Sequence, residues 1–556
     1  MRIVLVLIMA ASCLLAAGSW AVYSNTWDEP EHLAAGLELL DRGHYEYDTE
    51  HPPLARVLLA LGPYLAGARS FGTPPPDGTQ EGRDILYSDH NYARYLTLAR
   101  AGTLPFLLLL LWASWLWARR LMQSQWAALA AVAVVAALPP ILGHAGLATL
   151  DIAAAATQLI ALYALERWLG SARWQDAVSF GASSGVAVAC KFSAVPFIGM
   201  SLLFLGAVQG MNSGRASWHS LEHHPWRVTR ERLLGLLTAL LAALIPILAV
   251  YTPRAADVSG VEVRWDWAVN YLLSQGGFSA TVGHWLGALP LPREFKDLVN
   301  GVIAVKAHND AGHRSYLLGQ VSLDGWWYFY LVTLAVKTPV PLLVAGPIGL
   351  AMLARRGWRE RDGWSLAPAV LVLSILAFAM LFSRINIGIR HVLILYPFLA
   401  LGGTYAGWRA WRALVRSPPG WPRLAGRGLL LALALWQASP LWRSYPDYLT
   451  YFNETVREPR RVLVDSDLDW GQDLKRLEAR AAALRIPYLY LAYRGTADLQ
   501  REPLPPFEPL KPRQRVDGWV AISALARTRN THDYAWLDAY APLERIGSSI
   551  ELYYIP

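Results

Sequence analysis

The sequence has only two cysteines, Cys13 and Cys190, and both sit in apolar runs. A disulfide framework or a cysteine-rich zinc site is excluded on that count. Charge is also scarce: 17% of the 556 residues are Asp, Glu, Lys or Arg. No glycine-rich phosphate loop, internal repeat or long low-complexity tract occurs. What fills the chain instead is apolar, at 54% hydrophobic with a mean hydropathy of +0.26. That is the profile of a polytopic membrane protein. The 25 tryptophans suit the aromatic belts of bilayer interfaces. The net charge of +8 requires no nucleic-acid partner, because the basic residues fall mostly in short loops between apolar spans, as the positive-inside rule expects.

Met1–Val22 has features of a signal peptide and of an uncleaved first helix; the helix is favoured, since its apolar run approaches spanning length. Further spans are expected near Ala101–Ala118, Trp126–Gly143, Ile152–Trp168, Ala177–Cys190, Ala194–Gln209, Leu233–Val250, Trp327–Leu353, Leu366–Phe382, Val392–Trp408 and Gly428–Leu441. The total is about eleven. The basic loops Arg119-Arg120, Arg167–Arg173, Arg215–Arg232, Arg355–Arg361 and Arg409–Arg427 then share one face, which is cytoplasmic. The N-terminus is expected there too. The loop after the first span (23–100), the long loop Thr252–Gly325 and the tail lie opposite. The tail, 442–556, alternates short β-like runs (Val462–Val464, Tyr488–Tyr493, Gly518–Ile522, Ile550–Ile555) with a helical stretch, Leu474–Leu484, and a proline-rich connector, Pro503–Pro512. It predicts a small α/β domain beside a membrane domain over 1–441.

Chemistry concentrates at Tyr23–Leu65. Within 24 residues this stretch places Asp28, Glu29, Glu31, His32, Asp48, Glu50 and His51, followed by Pro52-Pro53. Such a density of ionisable groups beside a span is costly unless they are solvated, paired or used. Asp28 or Glu29 could simply cap the helix expected over Glu31–Leu40; the functional alternative is a general base. Pro52-Pro53 suits a helix start, with the preceding acids at its positive end. Alternatively, Asp48 or Glu50 holds substrate, or a divalent cation together with His51. Asp151 is a lone acid in an apolar stretch, either a cap for the following span or a functional group.

These residues carry a resemblance. The order DE…H…YD…HPPL, with Asp151 downstream, resembles the protein O-mannosyltransferases and, more loosely, the bacterial aminoarabinose transferases, both of the C-type glycosyltransferase (GT-C) fold. The specific motifs cover the first ~200 residues; beyond them the likeness is topological. The resemblance implies an inverting transfer of sugar from a polyprenyl-phosphate donor to an acceptor hydroxyl on a protein, lipid or glycan at the extracytoplasmic face. It implies Asp28 as base, Glu29 as a substrate-orienting group, Asp48 or Glu50 as the acid that binds acceptor or metal, and Asp151 as a second acid. Two acids precede His-Pro-Pro where those relatives typically show one.

Several cations suit an anionic lipid donor: Arg56, Lys191, Lys337, and Arg390 with His391 in SRINIGIRH. Lys337 could instead snorkel or pair with a carboxylate. The run KAHNDAGHRSY, with His308, Asp310 and His313, is expected to be a solvated loop, and DSDLDWGQD a solvated helix start. A bacterial inner membrane fits the compact loops. A transporter or lipid flippase is the competing class, but its coupling groups belong near the midplane with pseudo-repeats, whereas these acids cluster in one external loop and at one span junction.

Overall fold

The computed structural model describes residues 1–556 apart from 75–76, 224, 253–257 and 530–531. Side chains of 212–229 and 258–261 also lie outside the described residues; the backbone of the basic stretch expected as a loop over Arg215–Arg232 is instead helical, in Ala194–His223 and Pro225–Tyr251.

Every expected span falls on helix. Among the described residues, six helices are long and apolar enough to cross a bilayer: Tyr92–Met122, Ala194–Met211, Arg230–Tyr251, Val340–Glu360, Gly363–Phe382 and Trp421–Arg443. A seventh span results if Gln125–Ala136 and Pro139–Ala145, bent by 60°, are counted together. The bend has a local cause. Pro139-Pro140 follows Leu138, whose ψ of 122° is extended, as residues before proline prefer. The same rule splits the span expected over Trp327–Leu353. Thr338, before Pro339, is extended, so helices Phe329–Lys337 and Val340–Glu360 replace one continuous element. The count falls below the expected eleven partly because Asp151–Ser171 carries Gln158, Glu166 and Arg167. That helix is buried on nearly every side, so neighbouring helices rather than lipid satisfy it. Arg2–Ala17 is a shorter apolar helix. The chain is a multi-pass membrane protein.

The segment between the first two spans folds as helices Glu29–Leu37, Pro53–Leu65 and Gly78–Tyr87. Pro53 is the first helical residue of the second, where its missing N–H costs nothing. The first two helices meet closely at Gly36: a Cβ there would lie 2.3 Å from the Arg56 carbonyl oxygen. Gly36→Ala is therefore expected to destabilise by about 1–3 kcal/mol through overpacking, read as a lowered melting temperature of the purified protein.

The long loop expected over Thr252–Gly325 is instead largely helical (Val258–Ser274, Gly277–Ala288, Arg293–Ala311). It closes with a hairpin pairing Ser315–Leu317 with Gln320–Ser322. In the tail, Leu489–Ala492 pairs in parallel with Phe507–Pro509 and Gly518–Ser523. Ile550–Ile555 runs antiparallel to Gly518–Ser523, from Gly518↔Ile555 to Ser523↔Ile550, and Glu544–Ile546 forms the far edge. Helix Leu474–Ala483 covers one face. Side chains alternate between the faces, Ala521 and Leu552 on one, Val520, Ile522 and Tyr553 on the other. Two expectations fail here. Phe507–Pro509 is an edge strand inside the proline-rich connector, and Val462–Val464 is irregular, its Val462 carbonyl accepting from Leu318 N–H. Tyr23, Leu147, Leu449 and Trp470 cluster where the tail meets the membrane body.

Candidate active site

The loop after the first helix runs backbone to backbone with the tail. Ser24 N–H donates to Gln472 O and Trp27 N–H to Trp470 O, both at 2.9 Å. This pairing brings Asp28 beside the acidic run Asp465–Asp473. Asp28 occupies the cap position of helix Glu29–Leu37 but makes no side-chain cap bond. Its carboxylate accepts instead from Arg390, 362 residues further along the chain. Arg390 stacks on Trp470 at 4.6 Å and lies 4.0 Å from Asp151. Lys191 donates to Asp151 at 2.6 Å. Asp28, Arg390, Asp151 and Lys191 thus form one alternating chain of charges. Gly388 shapes the turn that presents Arg390 and His391. Its φ of +142° suits glycine alone, and a Cβ would meet the Ser466 hydroxyl at 2.3 Å.

A cavity of about 1230 Å³ opens beside this chain. Asp28, Glu31, Asp48, Glu50 and His51 line its polar end, with Lys191, Arg390 and His391 alongside. Phe192, Val195, Phe197, Val305, Phe378 and Phe382 form an apolar wall. A lining that combines acids and cations with a set of aromatic and aliphatic side chains suits an amphiphile.

The remaining expected residues divide. Asp48 accepts from Arg56 and from His51 Nδ1 at 2.8 Å. Arg56, fully buried, also holds the Asp48 carbonyl at 2.7 Å, Tyr45 Oη at 2.8 Å and His32 Nδ1 at 3.2 Å. Arg56 therefore acts on the cavity through Asp48 rather than from its wall. Burial opposes the charge on Asp48, but Arg56 and His51 outweigh it and hold the carboxyl well below the usual range. Glu50 pairs instead with His308 Nδ1 at 2.9 Å. Of the two acids weighed as a cation partner for His51, the structure places Asp48 on the imidazole, while Glu50 engages His308. Among the described residues no group of three or more His, Cys, Asp or Glu is placed to hold a metal ion.

Glu29, expected beside substrate, faces Arg100. It accepts from Nε and Nη2, each at 2.8 Å, and from the backbone N–H of Thr26 at 2.7 Å and Ala148 at 2.8 Å. Both side chains are buried, and neither is on the cavity wall. Lys337 is likewise buried. It donates to the carbonyls of Leu449 at 2.9 Å and Asp467 at 2.8 Å and lies 3.9 Å from the Asp467 carboxylate, the pairing weighed for it as an alternative, and it is not on the cavity wall.

Several wall residues were not expected. DSDLDWGQD is buried, not solvated: Asp467 accepts from Ile389 N–H, Asp469 from Leu525 N–H and Asp473 from Ser548 and Ser549 N–H. Apolar Leu468 and Trp470 between the acids were the available signal. Asp465 lines the cavity in a left-handed backbone conformation, φ 48°; burial raises its carboxyl to about 6. His308 and His313 sit on the wall, 3.3 Å apart. Hydrogen bonding to Glu50 raises His308, while burial and then the charge of His308 push His313 down to about 4.

Glu31 is raised to about 7, by burial first and then by the charge of Asp48. In the folded protein it keeps a proton that the unfolded chain, with its value of 4.5, releases earlier. The folded state then binds more protons between about pH 4.5 and 7, so this group's contribution to stability falls as pH rises through that window. Glu31→Gln is expected to remove a pH-dependent loss of unfolding free energy of roughly 2 kcal/mol between those pH values, read as a flatter profile of melting temperature against pH.

Fold and site together define a multi-pass helical membrane protein in which loops, tail and the ends of spanning helices line an amphiphilic, acid-and-cation-bearing chamber. Residues 99–221, which include Asp151 and Lys191, match the family described as "Dolichyl-phosphate-mannose-protein mannosyltransferase". This match bears out the resemblance read from the motifs. No curated protein matches. Among solved structures, the chain is similar to the oligosaccharyltransferase AglB of Archaeoglobus fulgidus, in complex with an inhibitory peptide and a dolichol-phosphate: 15% identity, TM-score 0.47, covering 82% of this chain and 56% of that one. It is also similar to ArnT of Cupriavidus metallidurans bound to undecaprenyl phosphate: 14% identity, TM-score 0.44, covering 98% and 97%. A third is the arabinosyltransferase EmbB of Mycobacterium smegmatis: 12% identity, TM-score 0.28, covering 79% and 42%. The chain spans about half the length of AglB.

Proposed function

We propose that this protein is an inverting membrane glycosyltransferase of the GT-C kind, moving a sugar from a polyprenyl-phosphate donor to a hydroxyl on a protein, lipid or glycan acceptor. The observation that carries this reading is the charge chain Asp28–Arg390–Asp151–Lys191 beside a cavity whose lining also includes Phe192, Phe197 and Phe378. The prenyl chain lies along Phe192, Phe197 and Phe378, and its phosphate meets Lys191 and Arg390. Asp28 takes the proton of the acceptor hydroxyl as that oxygen bonds to C1 of the sugar. The bond from C1 to the phosphate oxygen breaks, and the phosphate leaves as an anion stabilised by fixed cations. Arg390 has donors enough for a carboxylate and a phosphate together. Asp151 acts behind the wall by holding Lys191 and Arg390 in place, and Asp48 and Glu50 face the acceptor side.

The chamber belongs to the extracytoplasmic face of a bacterial inner membrane, with the N-terminus cytoplasmic, the tail extracytoplasmic, and the membrane and α/β domains meeting near residue 441. The family match at 99–221 supports the enzyme class. Sugar-free polyprenyl phosphate is expected to compete with donor, and Lys191→Met to weaken that competition about tenfold, through loss of a charge-assisted contact. Inhibition curves of the two proteins measure it, and superimposable curves would remove Lys191 from the phosphate site.

A further inference from the structure

A second, smaller cavity of about 200 Å³ lies in the tail, lined by residues of 450–468 and 524–551. The short helix Ala524–Arg529 separates it from the chamber: Leu525 and Arg529 face the chamber, Arg527 and Thr528 the small cavity. Its centre of charge is unusual. Arg460 and Arg527 both donate to the buried Glu551 carboxylate, and Arg545 stands 3.9 Å from it. Three guanidiniums thus gather on one carboxylate. The other acid on the wall, Glu458, is taken by Arg461 at 2.5 Å. Arg527 also reaches Tyr553 and the exposed Asp538. The proton on Arg460 is held less tightly than usual, through burial and then the repulsion of Arg545 and Arg527. Thr450 and Ser548, with hydroxyls 2.9 Å apart, supply neutral donors on the same wall.

A guanidinium offers five donors and a carboxylate accepts about four bonds. Three of the former around one of the latter leave donors of Arg460 and Arg545 beyond those that Glu551 can accept, on the wall of a partly open cavity. Planar forks match tetrahedral oxyanions bidentately. The volume admits a phosphoryl group with its immediate substituent, not a prenyl chain. We propose that this second cavity binds a phosphate-class oxyanion, free or as a lipid headgroup, across the helix Ala524–Arg529 from the transfer chamber. Glu551 is its organiser, and Arg545, half-exposed and least engaged, closes on the ligand.

The test is hydrogen exchange of peptides covering 458–461 and 543–551 in the full-length protein, held in nanodiscs of zwitterionic lipid and titrated with inorganic phosphate. Saturable protection is expected with phosphate and not with chloride at equal ionic strength. Arg545→Gln is expected to shift the midpoint about tenfold. Arg545→Lys keeps the charge without the fork and shifts it less. In discs containing phosphatidylglycerol, protection present before phosphate is added identifies the headgroup as ligand, and an unchanged phosphate response identifies the free anion. Equal protection by chloride, or one midpoint for wild type and Arg545→Gln, would overturn the proposal.

Discussion

Asp28→Asn is expected to lower the turnover number by about 10²–10⁴-fold, the range a positioned general base contributes, while leaving donor binding intact. The side chains are nearly isosteric, so the chamber keeps its shape. Asparagine cannot take the acceptor's proton. It also no longer neutralises Arg390, which Asp28 engages. Arg390 is then free for phosphate, and the donor dissociation constant is expected to stay level or fall by a few-fold. Saturating turnover and equilibrium donor binding, measured on the same preparations, separate the two effects. A turnover number within about threefold of wild type would exclude Asp28 as the base.

Arg100→Met is expected to cost about 3–5 kcal/mol of stability, because it leaves the Glu29 carboxylate buried without its counter-charge. The pair ties three segments together: Thr26 of the loop, Ala148 before Asp151, and the helix carrying Arg100. The double variant Glu29→Gln, Arg100→Met removes both charges. It is expected to recover much of the loss, and to retain turnover per folded molecule close to wild type. Thermal unfolding and turnover on the four proteins of the cycle check both statements. If Glu29→Gln alone abolishes turnover without lowering stability, Glu29 acts on substrate after all.

The two carboxylates of the Asp28-Glu29 pair illustrate what local sequence can tell. Adjacent residues at a helix start point in different directions. One reaches the cavity and the other is buried against Arg100. The density of acids and histidines in 28–51 is visible because a single segment between apolar runs concentrates it, and the helix at Pro53 because proline at a first turn has a local reason. The partners were not visible. Arg390 meets Asp28 across 362 residues and His308 meets Glu50 across 258, separations set by tertiary packing alone. Lys337 interrupts an apolar run and so suits an anion; its partners are carbonyls of the tail and the Asp467 carboxylate, whose positions no pattern around Lys337 reveals. The acidic run at 465–473 differs from its expected solvation for the same reason: its burial depends on N–H groups at Ile389, Leu525 and Ser549, all distant in sequence. Edge strands of three residues, Phe507–Pro509 and Glu544–Ile546, are too short for alternation to show. The long span split at Pro339 shows the opposite case, a signal that was present and outweighed by the continuous apolar composition around it.

The central claim is that a lipid-phosphate-linked sugar and the Asp28 carboxylate meet in one chamber, where the bond to the sugar is broken. The most direct measurement follows radiolabelled sugar from a panel of polyprenyl-phosphate monosaccharides, added to the purified protein in lipid with an acceptor extract, and counts the polyprenyl phosphate released. The account predicts that one donor is consumed and that labelled acceptor and polyprenyl phosphate form in equal amounts. Consumption of diphosphate-linked donors alone, or movement of intact donor across the bilayer with no bond broken, would contradict it.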